Sequence, residues 1–253
     1  MGKKKSPQLT ISKLDLRLSE LQTKKDELIN SIRVNIKAKN EKQKVYKKYL
    51  KDGGKQIVVG CGSPGTGKSF LSFAYGLKSI KEGEFDSIKI IIPTCEASSK
   101  LSIGFLPGDL ASKITVYKEA SIYSLTKILE ESGCNDAESV VRGLISEKKI
   151  TFEIVSYIRG NTFDNMLILV EEAENLSPEE LLLIMTRIGQ NSKLVISGDP
   201  KQADRKYNGN ESGLQRVCKK LRNMEEVAIV EFSDEDVVRN TLITKILKNW
   251  SEQ

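Results

Sequence analysis

Histidine is absent from all 253 residues, which excludes a Ser-His-Asp triad, an imidazole general base and any histidine-bound metal. Cysteine is scarce and scattered: Cys61, Cys95, Cys134 and Cys218 contain no C-x-x-C pair. That pattern argues against a zinc ribbon or a dithiol redox site and suits a reducing compartment in which the thiols fill core space. No apolar run approaches the ~18–20 residues needed to cross a bilayer, and no apolar signal segment follows Met1. The expectation is a soluble, non-secreted, cytoplasmic chain with no membrane partner. Aromatic residues make up 6% and none interleaves with the lysines of residues 1–45, so base stacking is not signalled there. The chemistry left to the chain rests on carboxylates, lysine, arginine, hydroxyls and a bound cation.

What is present is charge, unevenly placed. Residues 1–51 hold fifteen Lys/Arg against five Asp/Glu, whereas residues 52–253 hold twenty-five against twenty-nine. The overall net charge of +6 therefore belongs to the N-terminal fifth. Such an arm can neutralise phosphates and drive salt-sensitive nucleic-acid binding, or simply form a solvated lysine-rich helix. Within it Leu14, Leu18, Leu21, Leu28 and Ile32 fall in heptad register on one helical stripe over residues 9–32. That stripe needs cover from the domain core or from a second copy of the chain. Two parts are expected: a basic helical arm over residues 1–50 and one α/β domain over 51–253.

From residue 56 onward, short runs rich in Val and Ile alternate with helical stretches. Strands are predicted at 56–61, 88–94, 151–157, 166–170, 193–197 and 227–232. Most lack polar alternation, as buried strands of a parallel sheet do. Helices are predicted at 68–82, 113–132, 137–147, 178–189, 213–223 and 234–250. Ser177-Pro178-Glu179-Glu180 carries a helix-start signal of a hydroxyl cap before proline. The fold class is α/β, a mostly parallel sheet flanked by helices.

Directly after the first strand stands Gly62-Ser63-Pro64-Gly65-Thr66-Gly67-Lys68-Ser69, which satisfies G-x-x-x-x-G-K-[ST] and is followed by an amphipathic helix beginning with Phe70 and Leu71. Glycines allow successive N–H groups to face inward around a β-phosphate at the positive end of the next helix. Lys68 can then bridge the β- and γ-phosphates, and the Ser69 hydroxyl can ligate Mg²⁺. The apolar strand 166–170 ends in Glu171-Glu172-Ala173-Glu174, at the carboxyl end where open α/β sheets bind ligands. Glu171 is expected to face the Mg²⁺ hydration shell and Glu172 to polarise the attacking water. Glu174 fits a cap for the helix at Pro178 better than a catalytic role. Further on, Gly198-Asp199-Pro200-Lys201-Gln202 supplies a turn in which Gln202 can sense the γ-phosphate and Asp199 can hold the loop.

Together these motifs resemble the PhoH-like P-loop ATPases, relatives of the first RecA-like domain of superfamily 1 helicases. Further stretches carry the likeness: Gly104-Phe105-Leu106-Pro107-Gly108-Asp109, Tyr157-Ile158-Arg159-Gly160-Asn161-Thr162-Phe163, Thr186-Arg187-Ile188-Gly189 and Asp236-Val237-Val238-Arg239. The resemblance implies a RecA-like fold and Mg²⁺-ATP held by residues 62–70 with Glu171, Glu172 and Gln202. It also implies that Asn40-x-x-Gln43 reads adenine as the helicase glutamine element does, though two such polar residues equally fit a helix start. Arg159, Arg187 and Arg239 become candidates for completing an ATP site, one subunit serving the next. RNA or single-stranded DNA is the implied partner, and a single RecA-like unit implies a homo-oligomer, a ring such as a hexamer. Three positions depart from the family pattern: Glu171 stands where Asp is usual, Glu174 where Gln is usual, and Asn161 where Arg is usual. These readings leave two functions open, a helicase-related ATPase and a nucleotide-gated binding module with little hydrolysis.

Overall fold

A computed structural model describes residues 8–93, 110–202 and 211–238, the side chains of 8–14 and 110–114 excepted. Arg239, Cys95, the Leu106–Asp109 stretch and the predicted helix beyond residue 238 lie outside the described residues. In chain order the elements are α1 (Gln8–Ser31), α2 (Glu41–Lys51), β1 (Ile57–Gly62), α3 (Lys68–Glu82), β2 (Ser87–Ile92), α4 (Leu110–Glu131), α5 (Ala137–Ser146), β3 (Ile150–Ile154), β4 (Met166–Val170), α6 (Pro178–Met185), β5 (Lys193–Gly198), α7 (Gly213–Lys220) and β6 (Val227–Phe232).

The six strands form one all-parallel sheet in the order β3-β2-β4-β5-β1-β6. Its strands are apolar at successive positions because both faces are covered. Val58, Ile88, Ile90, Leu167 and Leu169 join one hydrophobic cluster with residues of α2, α3, α4 and α5. Val59, Ile91, Ile168 and Val170 join a second with residues of α6 and α7. The strand carrying Lys68's loop (β1) and the strand ending before Glu171 (β4) are separated by β5 alone. Their carboxyl ends therefore lie about two strand spacings apart, roughly 10 Å.

Several boundaries differ from the sequence reading. The expected strand over 151–157 ends at Ile154, and residues Val155–Tyr157 form a single 3-10 turn. Of the helix expected over 234–250, the described part opens with one 3-10 turn, Asp234–Asp236. There the Ser233 hydroxyl and N–H meet the Asp236 carboxylate, and Val237 is already extended. A hydrogen bond from Val238 N–H to the Gly65 carbonyl, 3.0 Å, draws the chain onto the phosphate loop and away from helical geometry.

Helix α2 falls within the arm expected to be helical, although no separate element was predicted there. Asn40 is its N-cap, accepting from Gln43 N–H at 2.8 Å, so the helix-start reading of that pair is what the structure shows. Its Tyr46 is fully buried, edge-on to Phe232 at 5.6 Å and hydrogen-bonded to Ser72 of α3 at 2.9 Å. Gly60 of β1 leaves room for the ring, since a Cβ there would sit 3.0 Å from it. The leucine stripe of α1 is divided. Leu28 and Ile32 pack into the core, with Leu28 against Gly143, whereas Leu18 and Leu21 are exposed.

Truncating Tyr46 should therefore cost as much as a buried aromatic elsewhere. Tyr46→Ala is expected to lower unfolding free energy by about 3–5 kcal/mol, and Tyr46→Phe by about 1 kcal/mol for the lost hydroxyl bond. Urea denaturation reads both; a loss below about 1 kcal/mol for Tyr46→Ala would mean that α2 does not anchor the core.

Candidate functional site

The loop between β1 and α3 is shaped by glycines with φ in the left-handed region, Gly62 at 118°, Gly65 at 77° and Gly67 at 87°. At Gly62 no other residue fits, because a Cβ would lie 1.9 Å from the Phe232 carbonyl oxygen. The outside of the loop is stitched to the end of β6. Ser63 N–H donates to the Phe232 carbonyl at 3.4 Å, and the Ser63 hydroxyl donates to Asp234. Thr66 is fully buried, with its hydroxyl on the Ser63 carbonyl at 3.0 Å. Its own carbonyl accepts from the Gln43 side-chain amide at 2.9 Å.

Lys68 occupies the hollow of this loop. Its ammonium donates to the carbonyls of Gly62 (2.6 Å) and Ser63 (2.8 Å) and to the Thr66 hydroxyl (3.3 Å). Burial lowers its pKa, opposed by the charges of Asp199, Glu174 and Glu171. The three oxygens holding the ammonium are where an anion's counter-charge is pre-placed.

At the tip of β4 the two glutamates take different environments. Glu171 shares a hydrogen bond with Ser69, and burial pushes its carboxyl pKa up to about 8. Its Oε1 is buried and has no hydrogen-bond partner among the described residues, an arrangement that usually costs ~1–3 kcal/mol. Glu172 is exposed and sits at φ 49°, ψ 43°, a left-handed conformation that a side-chain-bearing residue adopts at a cost of order 1–3 kcal/mol. The kink turns the chain out of the strand and brings Glu172 to the wall of the same cavity. Glu174 does not cap α6. Ser177 and Glu180 do so in a reciprocal capping box, and Glu174 is buried with Oε2 accepting from Asp199 N–H at 3.0 Å. Burial raises its pKa to about 6. Asp199 in turn accepts from Lys201 N–H at 3.0 Å and, through its carbonyl, from Gln202 N–H at 2.9 Å, so it shapes the turn that presents Gln202.

These groups surround one cavity of about 840 Å³. Pro64, Gly65, Gly67, Lys68, Ser69, Phe70, Glu171, Glu172, Gln202 and Gln43 all line it. Gln43 has its Oε1 on Lys39 N–H at 2.7 Å and its amide on the loop, tying residues 35–39 to the phosphate cradle. Arg187 is not brought to this cavity. It follows α6, its guanidinium reaches the Asn161 carbonyl at 3.5 Å, and nearby Gln190 bonds Asn165, just ahead of β4. That places it at the end of the sheet opposite Glu171. Sequence reasoning missed the wall supplied by α4, including Tyr117, Ser121 and Ser124, for which no motif exists. It also missed Asp234, which is visible only once β6 lies beside β1.

The residues fit a divalent cation: the Ser69 hydroxyl and an orphaned Glu171 oxygen meet beside a loop built for phosphate. Among the described residues no cluster of three or more Cys, Asp or Glu could hold a metal alone. Without a ligand, the folded Glu171 carboxyl keeps its proton to about pH 8 and an unfolded one releases it near 4.5. Folding thus binds a proton between those values, so stability is full below about pH 4.5 and falls as pH rises towards 8. Glu171→Gln should remove that part of the decline. Denaturant midpoints measured from pH 4.5 to 8.5 test it, and identical slopes in both proteins would mean that the carboxyl is solvated.

The family model described as PhoH-like protein matches residues 35–251. A PhoH-like protein of Bacillus subtilis is 31% identical over 220 residues, covering 87% of this chain and 65% of the relative. A PhoH-like protein of Synechocystis is 33% identical over 216 residues, covering 85% and 62%. Protein PhoH of Escherichia coli is 31% identical over 216 residues, covering 85% and 58%. The chain thus spans about three-fifths of the length of these relatives. Among solved structures, a Sulfolobus solfataricus SWI2/SNF2 ATPase core in complex with dsDNA aligns at TM-score 0.43 and 14% identity, over 73% of this chain and 36% of that one. The family-model match, together with a six-stranded parallel sheet whose loop and acidic strand are parted by one strand, identifies a RecA-like P-loop fold, and the chain belongs to the PhoH-like protein family.

Proposed function

We propose that this chain binds Mg²⁺-ATP in the 840 Å³ cavity and hydrolyses it. The observation that carries this reading is the meeting of the Ser69 hydroxyl with the buried, incompletely satisfied Glu171 carboxylate at the loop. The two residues are about a hundred positions apart in sequence, and the Glu171 Oε1 is left without a hydrogen-bond partner among the described residues. A bound Mg²⁺ would neutralise charge on the phosphate oxygens and shift Glu171 to its ionised form.

The chain's own groups then divide the work. Loop N–H groups and the start of α3 hold the β-phosphate. Lys68 exchanges its carbonyl partners for phosphate oxygens, so its present position is a resting one. Glu172 orients and deprotonates the attacking water, and Gln202 contacts that water or the γ-phosphate. Gln43 relays the state of the loop to residues 35–39. RNA or single-stranded DNA is the proposed partner, supported by the cationic N-terminal fifth. Assembly into a ring such as a hexamer is supported by two features. Leu16, Leu18 and Leu21 are exposed on α1, and Arg187 lies too far from its own cavity to serve it, as a residue acting on a neighbour's ATP would. Arg159, and Arg239 outside the described residues, are the other candidates.

A second reading has one observation in its favour. Glu171 is one methylene longer than the usual family acid and holds its proton to about pH 8, which weakens its grip on a cation. Binding without appreciable turnover would then make the chain a nucleotide-gated module.

Steady-state ATP hydrolysis separates the readings. Lys68→Ala is expected to abolish both nucleotide binding and turnover, whereas Glu172→Gln should keep binding and lower kcat by ~10²–10⁴-fold. Wild-type hydrolysis no faster than that of Glu172→Gln would leave the binding module. Specific activity should also rise with protein concentration, and constant activity with only monomer in sedimentation would remove the ring.

A further inference from the structure

A second cavity, of about 450 Å³, lies behind the first, between residues 34–38, α2 and α3. Lys37, Lys44, Lys47, Lys51 and Lys78 line it, and no carboxylate does among the described residues. Its floor is apolar, with Leu50, Leu71 and Ala74. Lys44, Lys47 and Lys51 recur at helical spacing on one side of α2, where like charges three and four residues apart destabilise a helix by roughly 0.2–0.5 kcal/mol per pair. Lys78 faces them from α3. Lys44 and Lys78 have outward partners in Glu41 and Glu82, but Lys37, Lys47 and Lys51 pair with no described carboxylate. Burial, with the charges of Lys51 and Lys78, holds the Lys47 amine below its ordinary pKa. Concentrated positive charge over an apolar floor is unfavourable alone and favourable around an anion.

We propose that this cleft is a second anion site, taking a small molecule that carries clustered phosphates on an apolar or planar body. Its size is that of a ligand pocket, and a half-open cavity of about 450 Å³ with a cationic rim suits a compact polyphosphate better than a continuous strand. The Lys47 ammonium donates to the Ile36 carbonyl, an interaction that ligand phosphates would replace. Asn35, Ile36 and Lys37 line both cavities, and Lys39 is tied through Gln43 to the phosphate loop. Occupancy of the cleft therefore bears on the strap that walls the larger cavity. The binding claim stands apart from ATP hydrolysis.

The test is calorimetric stoichiometry with inorganic tripolyphosphate on the full chain. Wild type should bind two equivalents, one in each cavity. Lys47→Gln/Lys51→Gln should lose one, with affinity at that site reduced at least about tenfold, while Lys68→Ala keeps it. Relief of like-charge repulsion should leave the double variant's melting temperature at or above wild type, which verifies the fold, and Lys78→Gln weakens the same equivalent from the α3 side. Unchanged binding in the double variant, or a single wild-type equivalent abolished by Lys68→Ala, overturns the site. So does loss of binding to a single-stranded oligonucleotide alone, which would assign these lysines to a nucleic-acid backbone.

Discussion

Gly62 lies so close to the Phe232 carbonyl that a single added carbon would overlap it, and the architecture of the site follows from that contact. Parallel pairing of β1 with β6 ends there, and the chain leaves β1 in a conformation open in practice to glycine. The outer edge of the loop is engaged by Phe232, Asp234 and Val238, and Pro64, Gly65 and Gly67 line the cavity. A phosphate cradle of this kind is a backbone device. It depends less on which side chains are present than on what holds the loop from behind.

The same economy appears in the acids. Glu171, Glu172 and Glu174 are near neighbours in sequence, yet the chain turn at Glu172 sends them to three environments. One is half-buried beside Ser69, one is exposed on the cavity wall, and one is buried under the Asp199 amide. Their pKa values separate accordingly, about 8 for Glu171 and about 6 for Glu174, with burial the leading cause in both. Glu174 is a positioning residue: its carboxylate lies against Gly198, where a Cβ would be 2.4 Å from Oε2. It holds the β5 turn that presents Gln202.

Helix α2 connects these local devices to the rest of the molecule. It carries Gln43 to the loop, Tyr46 to β1 and α3, and a row of lysines to the cleft behind. A short helix thus touches the phosphate loop, the core and a cationic cavity at once. Displacement at any of the three is felt at the others because side chains in a packed core cannot yield continuously.

Strands β4 and β6 and helix α3 were legible to the residue because each is bounded by a sharp change in pattern: apolar β-branched runs before acids or serine, and a glycine–lysine start. So were the phosphate loop and the acidic strand end, whose chemistry is written in consecutive residues. Helix α2 was not, since EKQKVYKKYLK shows only Val45, Tyr46, Tyr49 and Leu50 against a lysine background, and what buries Tyr46 is a glycine fourteen positions later. The fate of Glu174 and the short turn at residue 234 were hidden for the same reason. A cap and a tether look alike in one dimension, and only the neighbouring strand decides which partner is within reach. By itself the sequence determined the parallel α/β class and the place of the glycine-rich loop between strand and helix, because those depend on local periodicity and contiguous residue types. Which acid is buried, which helix braces the loop and which lysines face one another were decided by the tertiary structure, because burial and charge proximity are properties of distance in space.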